Sequence, residues 1–414
     1  MHVTILAYGS RGDVQPYVAL GVGLQGDGHT VRVAAPRPFE ALITERGLEY
    51  APLAGDPARL VRGLVDRAGH NLARIVRVMG EYTIPLALEV LADTQRACRG
   101  TDAVVHSFLM TLAGHQIAQA MGVPDFSALL YPIFARTSAF PNPMFPRLPL
   151  GGAYNRLTHD FFTRSFWQFS RLAYGWLRRG RPDLLPLPGW PFAAANPHPP
   201  PILYGFSPHV IAPPPDWGEH VHVTGYWFLD AASGWQPPPD LLAFLEDGPP
   251  PVCVGFGSTI AEEMERLAAI ALKALARTGQ RGVLLIGWAG EIGGGGDDVF
   301  VIDAVPHEWL FPRAAAIVHH GGAGTTAAGL RAGVPAVVVP FGSDQPYWGR
   351  RVCELGAGPE PIPRRRLTVE RLAEAIRIAT GDAAMRRRAA ELGQQIRAED
   401  GVGRAVAIIG RRGT

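Results

Sequence analysis

Lysine is nearly missing from this 414-residue chain: Lys273 is the single example, and the other 38 of 39 basic residues are arginines. They lie all along the sequence, which points to a bias of the source genome rather than to a binding patch. There is no charge imbalance either. Against 37 acidic residues the net charge is +2, which gives no electrostatic footprint for nucleic acid. Only three cysteines occur, Cys98, Cys253 and Cys353, far apart and without a CxxC pair. That excludes a disulfide framework and a zinc ribbon and suits a reducing compartment. No apolar run reaches the roughly 18 residues that a membrane span needs. The first residues, Met1 to Tyr8, lack a charged leader and a cleavage site, so they read as a strand rather than a signal peptide. A cytoplasmic address is expected.

What is present is material for buried cores: 47% hydrophobic and 18% charged residues over a length suited to two or three domains. The pattern alternates. Strands are predicted over 2–7, 30–35, 103–106 and 125–130, helices over 17–26, 37–45 and 112–121, and a glycine-bearing loop over 9–16. Prolines then crowd together at 199–201, 213–215, 237–239 and 249–251, runs that favour extended chain and stop helices. Beyond them the alternation restarts, with strands over 252–256, 281–286, 299–302, 315–319 and 336–340 and helices over 261–278, 325–331, 368–380 and 382–399. The expected fold is α/β, with two Rossmann-like parallel-sheet domains facing a cleft. The expected boundaries are 1–215, a proline-rich linker over 216–240, 241–385, and a C-terminal helix in 386–414 packing back towards the first domain. Ligands of such sheets sit at the carboxyl ends of strands.

The strongest local signal is Val318-His319-His320-Gly321-Gly322-Ala323-Gly324-Thr325-Thr326, which follows a strand and opens a helix. Glycines let a ligand approach the backbone, the helix start offers free N–H groups, and two hydroxyls and the His320 ring add donors. The pattern describes a diphosphate cradle without the lysine of a Walker A loop; the other reading is a turn serving packing alone. Asp344 and Gln345, just past a strand, pair an acceptor with a donor, as sugar hydroxyls require, or form a solvated loop. Ser258 either caps a helix or meets a phosphate. Trp288 and the Val305-Pro306 pair offer an aromatic face and backbone groups for a flat base. Three matches are decoys. The GxGxxG of residues 21–26 falls inside a helix pattern, Arg11-Gly12-Asp13 lies between strand and helix, and His307-Glu308 lacks a second histidine.

The stretch 305–345, VPHEWLFPRAAAIVHHGGAGTTAAGLRAGVPAVVVPFGSDQ, resembles the donor signature of family 1 glycosyltransferases of the GT-B fold. The stretch 9–34, GSRGDVQPYVALGVGLQGDGHTVRVA, resembles the sterol glucosyltransferase branch and the antibiotic-aglycone glycosyltransferases of actinomycetes, which suggests a bacterial source. The resemblance implies inverting transfer of a hexose from a UDP- or dTDP-sugar, UDP-glucose first, to a hydroxyl of a lipophilic acceptor such as a sterol or polyketide. It implies Asp13 as the base, where plant relatives use a histidine that this loop lacks. Chemistry agrees, because an alcohol is a poor nucleophile until its proton is accepted. Asp13 also suits a helix cap, and the two roles are compatible. Ser10, Arg11 and Gly12 are expected at the same place, helping to neutralise the diphosphate. Ala328 stands where plant enzymes carry a ribose-gripping glutamate, which leaves UDP and dTDP both open. No metal and no cofactor beyond the nucleotide sugar is expected: there is no DxD, and Asp297-Asp298 reads as a surface turn.

For the acceptor, His106, Phe108, Met110, Tyr131, Phe134, Phe140, Met144 and Phe145 follow strand ends and form a candidate apolar pocket, although each singly is commoner in a core. Residues 155–182 interleave aromatics with arginines. That suits either an amphipathic helix packed on its own domain or one weakly associated with an anionic membrane surface. A catalytically silent relative serving as a binding partner, and a glycolipid synthase of the same fold, are the alternative functions. The oligomeric state stays open.

Overall fold

A computed structural model describes residues 1–55, 84–180, 184–187, 189–192, 196, 199–231, 234–257, 261–285 and 297–412. The chain divides into two compact units, one of Met1–Leu229 with Asp400–Thr414, the other of Asp230–Glu399.

The first unit is built on a seven-stranded parallel sheet. Its strands are β1 (His2–Leu6), β2 (Thr30–Pro36), β3 (Glu49–Leu53), β4 (Ala103–His106), β5 (Asp125–Leu129), β6 (Ile202–Tyr204) and β7 (Val221–Val223), in the order β3-β2-β1-β4-β5-β6-β7. β4 and β5 are buried at every residue, as strands covered on both faces must be. The order reverses between β1 and β4, where Leu6 pairs with His106. That reversal opens a crevice outside the carboxyl ends of the two strands. Pro52 lies in β3, at one edge of the sheet, where a strand tolerates proline.

Helix α1 (Arg11–Gly26) starts six residues before the predicted position and takes Pro16 inside it. Residues 37–45 form a 3-10 turn (Arg37–Phe39) and a short helix α2 (Glu40–Thr44), not one helix. The first two glycines of the discounted GxGxxG, Gly21 and Gly23, serve packing. A Cβ on Gly23 would come within 2.2 Å of Val402, so this glycine lets the last helix of the chain, Gly401–Arg412, lie close against α1. The expected boundaries need adjustment. The segment 216–240 contains β7, hydrogen-bonded to β6, and so is not a free linker. Helix Ala383–Arg397 belongs to the second unit, and only the final helix returns to the first.

The second unit has a five-stranded parallel sheet of β8 (Val252–Gly255), β9 (Gly282–Leu285), β10 (Val299–Ile302), β11 (Ala316–His319) and β12 (Ala336–Val338), ordered β10-β9-β8-β11-β12. Its reversal lies between β8 and β11, where His319 pairs with Gly255. One face is covered by Leu267, Ala271 and Leu275 of helix Ala261–Thr278 and by Leu372 and Ile376 of helix Val369–Gly381. Leu310, Phe311 and Val334 pack with Cys253 and Ile317 in a second core cluster. Among the described residues no helix is long and apolar enough to cross a membrane.

Candidate functional site

In the first unit the loop after β1 leads into α1, whose first turn carries Asp13. Gly9 has φ +141°, and a Cβ there would come within 2.5 Å of Asp13 Oδ2, so only glycine allows the chain to pass this close. Ser10 is the N-cap residue of α1 and Asp13 its third helical residue. The Ser10 amide and hydroxyl each donate to Asp13 Oδ2, at 2.8 Å. Both bonds end on one oxygen, and Oδ1 has no partner among the described residues. Burial lifts the Asp13 pKa above that of an ordinary aspartate; the bonds from Ser10 pull it down without cancelling the rise. One turn on, the buried Tyr17 donates to the Ala128 carbonyl at 2.7 Å. Its own pKa is driven well up by burial and then by the charges of Asp13 and Tyr131. Asp13 is therefore both a helix cap and a held carboxylate.

Its neighbours are placed differently from expectation. The Ser10 hydroxyl is committed to Asp13 rather than to a diphosphate. Arg11 is exposed, with Nε donating to Gln15 Oε1 at 2.9 Å, and Gly12 is half-buried, a Cβ there falling 3.7 Å from the Ser10 hydroxyl.

Beside this loop lies an apolar cavity of about 320 Å³. Tyr8, Leu109 and Met110 line it from just past β1 and β4, Leu112 from helix Thr111–Met121, Leu86 and Val90 from helix Ile84–Ala97, and Ser170 and Tyr174 from helix Gly151–Gly180. Its polar end is satisfied internally: Gln116 Nε2 donates to the Tyr174 hydroxyl and the Leu185 carbonyl, each at 2.8 Å.

Of the expected acceptor residues, only Met110 lines this cavity. Phe108 and Phe134 belong to an aromatic cluster, 5.6 Å apart, with Tyr131, Phe166 and Trp190 around them. Phe134 is buried within it. Phe140 packs on His159 and Trp217 instead, Met144 is exposed, and Phe145 faces Phe161. His106 is fully buried and cannot touch an acceptor. Its Nε2 lies 3.0 Å from Asp125 Oδ2, which also takes His115 Nδ1 at 2.9 Å. Burial alone would raise the Asp125 pKa, but the bonds and charges of the two histidines hold it far below the usual range.

In the second unit, β11 ends at His319, and helix Ala323–Ala332 opens four residues later with Gly322 as N-cap. Gly321 has φ +88°. The His320 ring is wedged between two glycines, for a Cβ on Gly322 would lie 2.5 Å from its Nε2 and one on Gly257 3.0 Å from its Cε1. Burial lowers the His320 pKa to about 4, so the ring is neutral at pH 7 and offers one N–H. Burial also takes His319 down to about 3, helped by the nearby His320 and His307, while its Nδ1 accepts from the Gly321 amide. Three polar atoms of this segment are buried without a partner among the described residues, His319 Nε2, His320 Nδ1 and Thr326 Oγ1. Gly324 and Thr325 are half-buried in the same first turn. A loop with glycines, free amides and orphaned donors at a sheet's point of reversal fits an anion.

After β12, Ser343 has φ +56°, the one positive φ outside glycine among the described residues. Asp344 Oδ2 accepts from Trp348 Nε1 at 3.0 Å. Gln345 Oε1 accepts from the Phe341 and Gly342 amides. Both side chains are thus held in place, and the Gln345 amide group keeps its donors. The Val305 side chain lies in the core, and the Pro306 carbonyl accepts from the Trp309 and Leu310 amides. Asp297 and Asp298 are exposed in a turn. Ser258 and Trp288 lie outside the described residues, as do Ile286, Arg181 and Pro182.

Comparison with known proteins finds relatives of both units. Residues 3–98 match the glycosyltransferase family 28 N-terminal domain, and residues 291–404 match the erythromycin biosynthesis protein CIII-like C-terminal domain. A sterol 3-beta-glucosyltransferase of Aspergillus terreus is 37% identical across 99% of this chain, and one of Cryptococcus neoformans 36% across 99%. The chain spans 30% and 27% of those proteins. Such fungal relatives lend no support to a bacterial source. Among solved structures, the kitacinnamycin glycotransferase superposes with a TM-score of 0.71 at 22% identity, covering 100% of this chain and 99% of that one. The glycosyltransferase VinC, solved with dTDP, gives 0.67 at 23% identity, with 100% and 99% covered. With its two parallel sheets the chain has the GT-B fold of these solved structures, and over 99% of its length it is similar to a segment of sterol 3-beta-glucosyltransferases.

Proposed function

We propose that the chain is an inverting glycosyltransferase that moves a hexose, glucose first, from a UDP- or dTDP-sugar to a hydroxyl of a lipophilic acceptor such as a sterol or polyketide. The product is a β-glycoside, the site of action cytoplasmic, and no metal or cofactor is used beyond the nucleotide sugar.

The observation that carries this reading is the state of Asp13. Its carboxylate is fixed through Oδ2, open at Oδ1, raised in pKa, and placed in the first turn of α1, just beyond the loop whose Tyr8 lines an apolar cavity. A lipophilic alcohol in that cavity brings its hydroxyl to Asp13. The alcohol oxygen attacks the anomeric carbon as its proton passes to Oδ1. The bond from that carbon to the diphosphate breaks, its electron pair leaves with the diphosphate, and attack from the opposite face inverts the centre. The neutral His320 ring, the Gly322 and Gly324 amides and the Thr325 and Thr326 hydroxyls hold the diphosphate and stabilise the charge it gains. Asp344 and Gln345 take the sugar hydroxyls. The names of the fungal relatives support a sterol as the first acceptor to try.

The test is an acceptor panel with UDP-glucose and dTDP-glucose, read by mass spectrometry alongside donor hydrolysis. A β-glycoside from a sterol or polyketide alcohol is expected. Absence of any glycoside across the panel, with UDP still bound, favours the silent relative.

A further inference from the structure

The 30-residue helix Gly151–Gly180 has one face that its own unit leaves uncovered. Leu157, Phe161, Phe169, Leu172 and Trp176 are between 57% and 69% exposed. At 3.6 residues per turn these five positions fall within about a third of the circumference. Tyr174, on the other side, is buried, and Phe162 and Phe166 stack into the aromatic cluster. Folding thus uses one aromatic face of this helix and leaves a second in water, which a packed amphipathic helix does not do.

The charges follow the same geometry. Arg164, Arg171 and Arg178 recur every seven residues, two turns apart, and form an exposed row along one edge of the apolar stripe. Arg179 is exposed as well. The single acid of the helix, Asp160, is taken by Arg136 at 2.9 Å. A second copy of this chain would bring the same positive row towards itself. An anionic lipid surface is complementary to both parts, with headgroups for the arginines and acyl chains for the Phe, Leu and Trp side chains.

We propose that helix Gly151–Gly180 is a docking surface for a bilayer carrying anionic lipids, lying in its interface without crossing it. The same turns that present Phe169, Leu172 and Trp176 outwards line the apolar cavity inwards with Ser170 and Tyr174. Docking there sets the cavity beside the phase in which lipophilic acceptors dissolve. This last point, unlike the docking itself, rests on the proposed function.

The experiment is flotation of the full chain with vesicles of phosphatidylcholine alone or mixed with phosphatidylglycerol, at low and high salt. The wild type floats with the mixed vesicles, and salt releases it. Arg164→Gln/Arg171→Gln/Arg178→Gln lowers partitioning about a hundredfold. Phe169→Ser/Leu172→Ser/Trp176→Ser abolishes it. Both variants keep the wild-type melting temperature and turnover on a water-soluble alcohol. The arginine variant removes no apolar contact and so reports even if the serine variant misfolds. No flotation at low salt, variants that float like the wild type, or a wild-type dimer that the serine variant dissociates would overturn the docking. Flotation without turnover on any acceptor would overturn the function and leave the docking standing.

Discussion

Ser10 gives both its amide and its hydroxyl to a single oxygen of Asp13, each at 2.8 Å. The carboxylate is gripped at one end and left open at the other, as a proton acceptor in transfer chemistry must be. Removing the hydroxyl alone, in Ser10→Ala, takes away one of the bonds that lower the Asp13 pKa. The acid limb of kcat/KM should move to higher pH, with turnover at neutral pH down about fivefold to tenfold. A profile that does not move would detach Ser10 from the titrating group.

Thr326 carries a buried hydroxyl with no partner among the described residues. The isosteric Thr326→Val removes an unsatisfied group and should leave the protein as stable or about 1 kcal/mol more stable. If the hydroxyl waits for a phosphate, UDP binds about tenfold more weakly in the variant. Calorimetry and a thermal melt on the same sample separate these effects. Loss of stability with unchanged UDP affinity would make Thr326 a packing residue.

His319 and His320 are neutral in the folded protein, with pKa values lowered to about 3 and about 4, while an unfolded histidine titrates near 6.5. As pH falls from about 6.5 towards 4, the unfolded chain takes up protons that the native one refuses. Stability therefore falls by up to about 1.4 kcal/mol per pH unit for each ring. His320→Asn should flatten this slope by its share, seen in denaturant titrations across that window. An unchanged slope would contradict the buried, neutral ring.

Ala113 faces the cavity of about 320 Å³. Ala113→Trp fills part of that space and should raise the KM of a lipophilic acceptor at least about tenfold while leaving UDP affinity alone. An unaltered acceptor KM would move the acceptor elsewhere, the aromatic cluster of Phe108 and Phe134 being the next place to look.

The parallel sheets and the loop at His320 were legible because their signals are local. A strand, glycines, hydroxyls and a helix start follow one another within ten residues. The start of α1 was hidden by Pro16, which reads as loop although its fixed φ suits a helix and it removes only one backbone bond. β3 was missed because Pro52 reads as a break, yet an edge strand tolerates it. The acceptor side was least legible. Its cavity joins Tyr8, Leu109, Val90 and Tyr174 from four separate segments, and no spacing rule connects them. A sequence shows that aromatic residues are plentiful after the strand ends. It does not show that Phe108 and Phe134 turn towards one another and not towards a ligand.

Asp13→Asn tests the central claim most directly, because the amide keeps the shape of the side chain and cannot accept the proton. Transfer of glucose from UDP-glucose to a lipophilic alcohol, followed by mass spectrometry, should fall by about 10² to 10⁴ in kcat while UDP binding stays within about twofold of the wild type. Undiminished turnover would show that another group takes the proton, and the reaction would have to be assigned afresh.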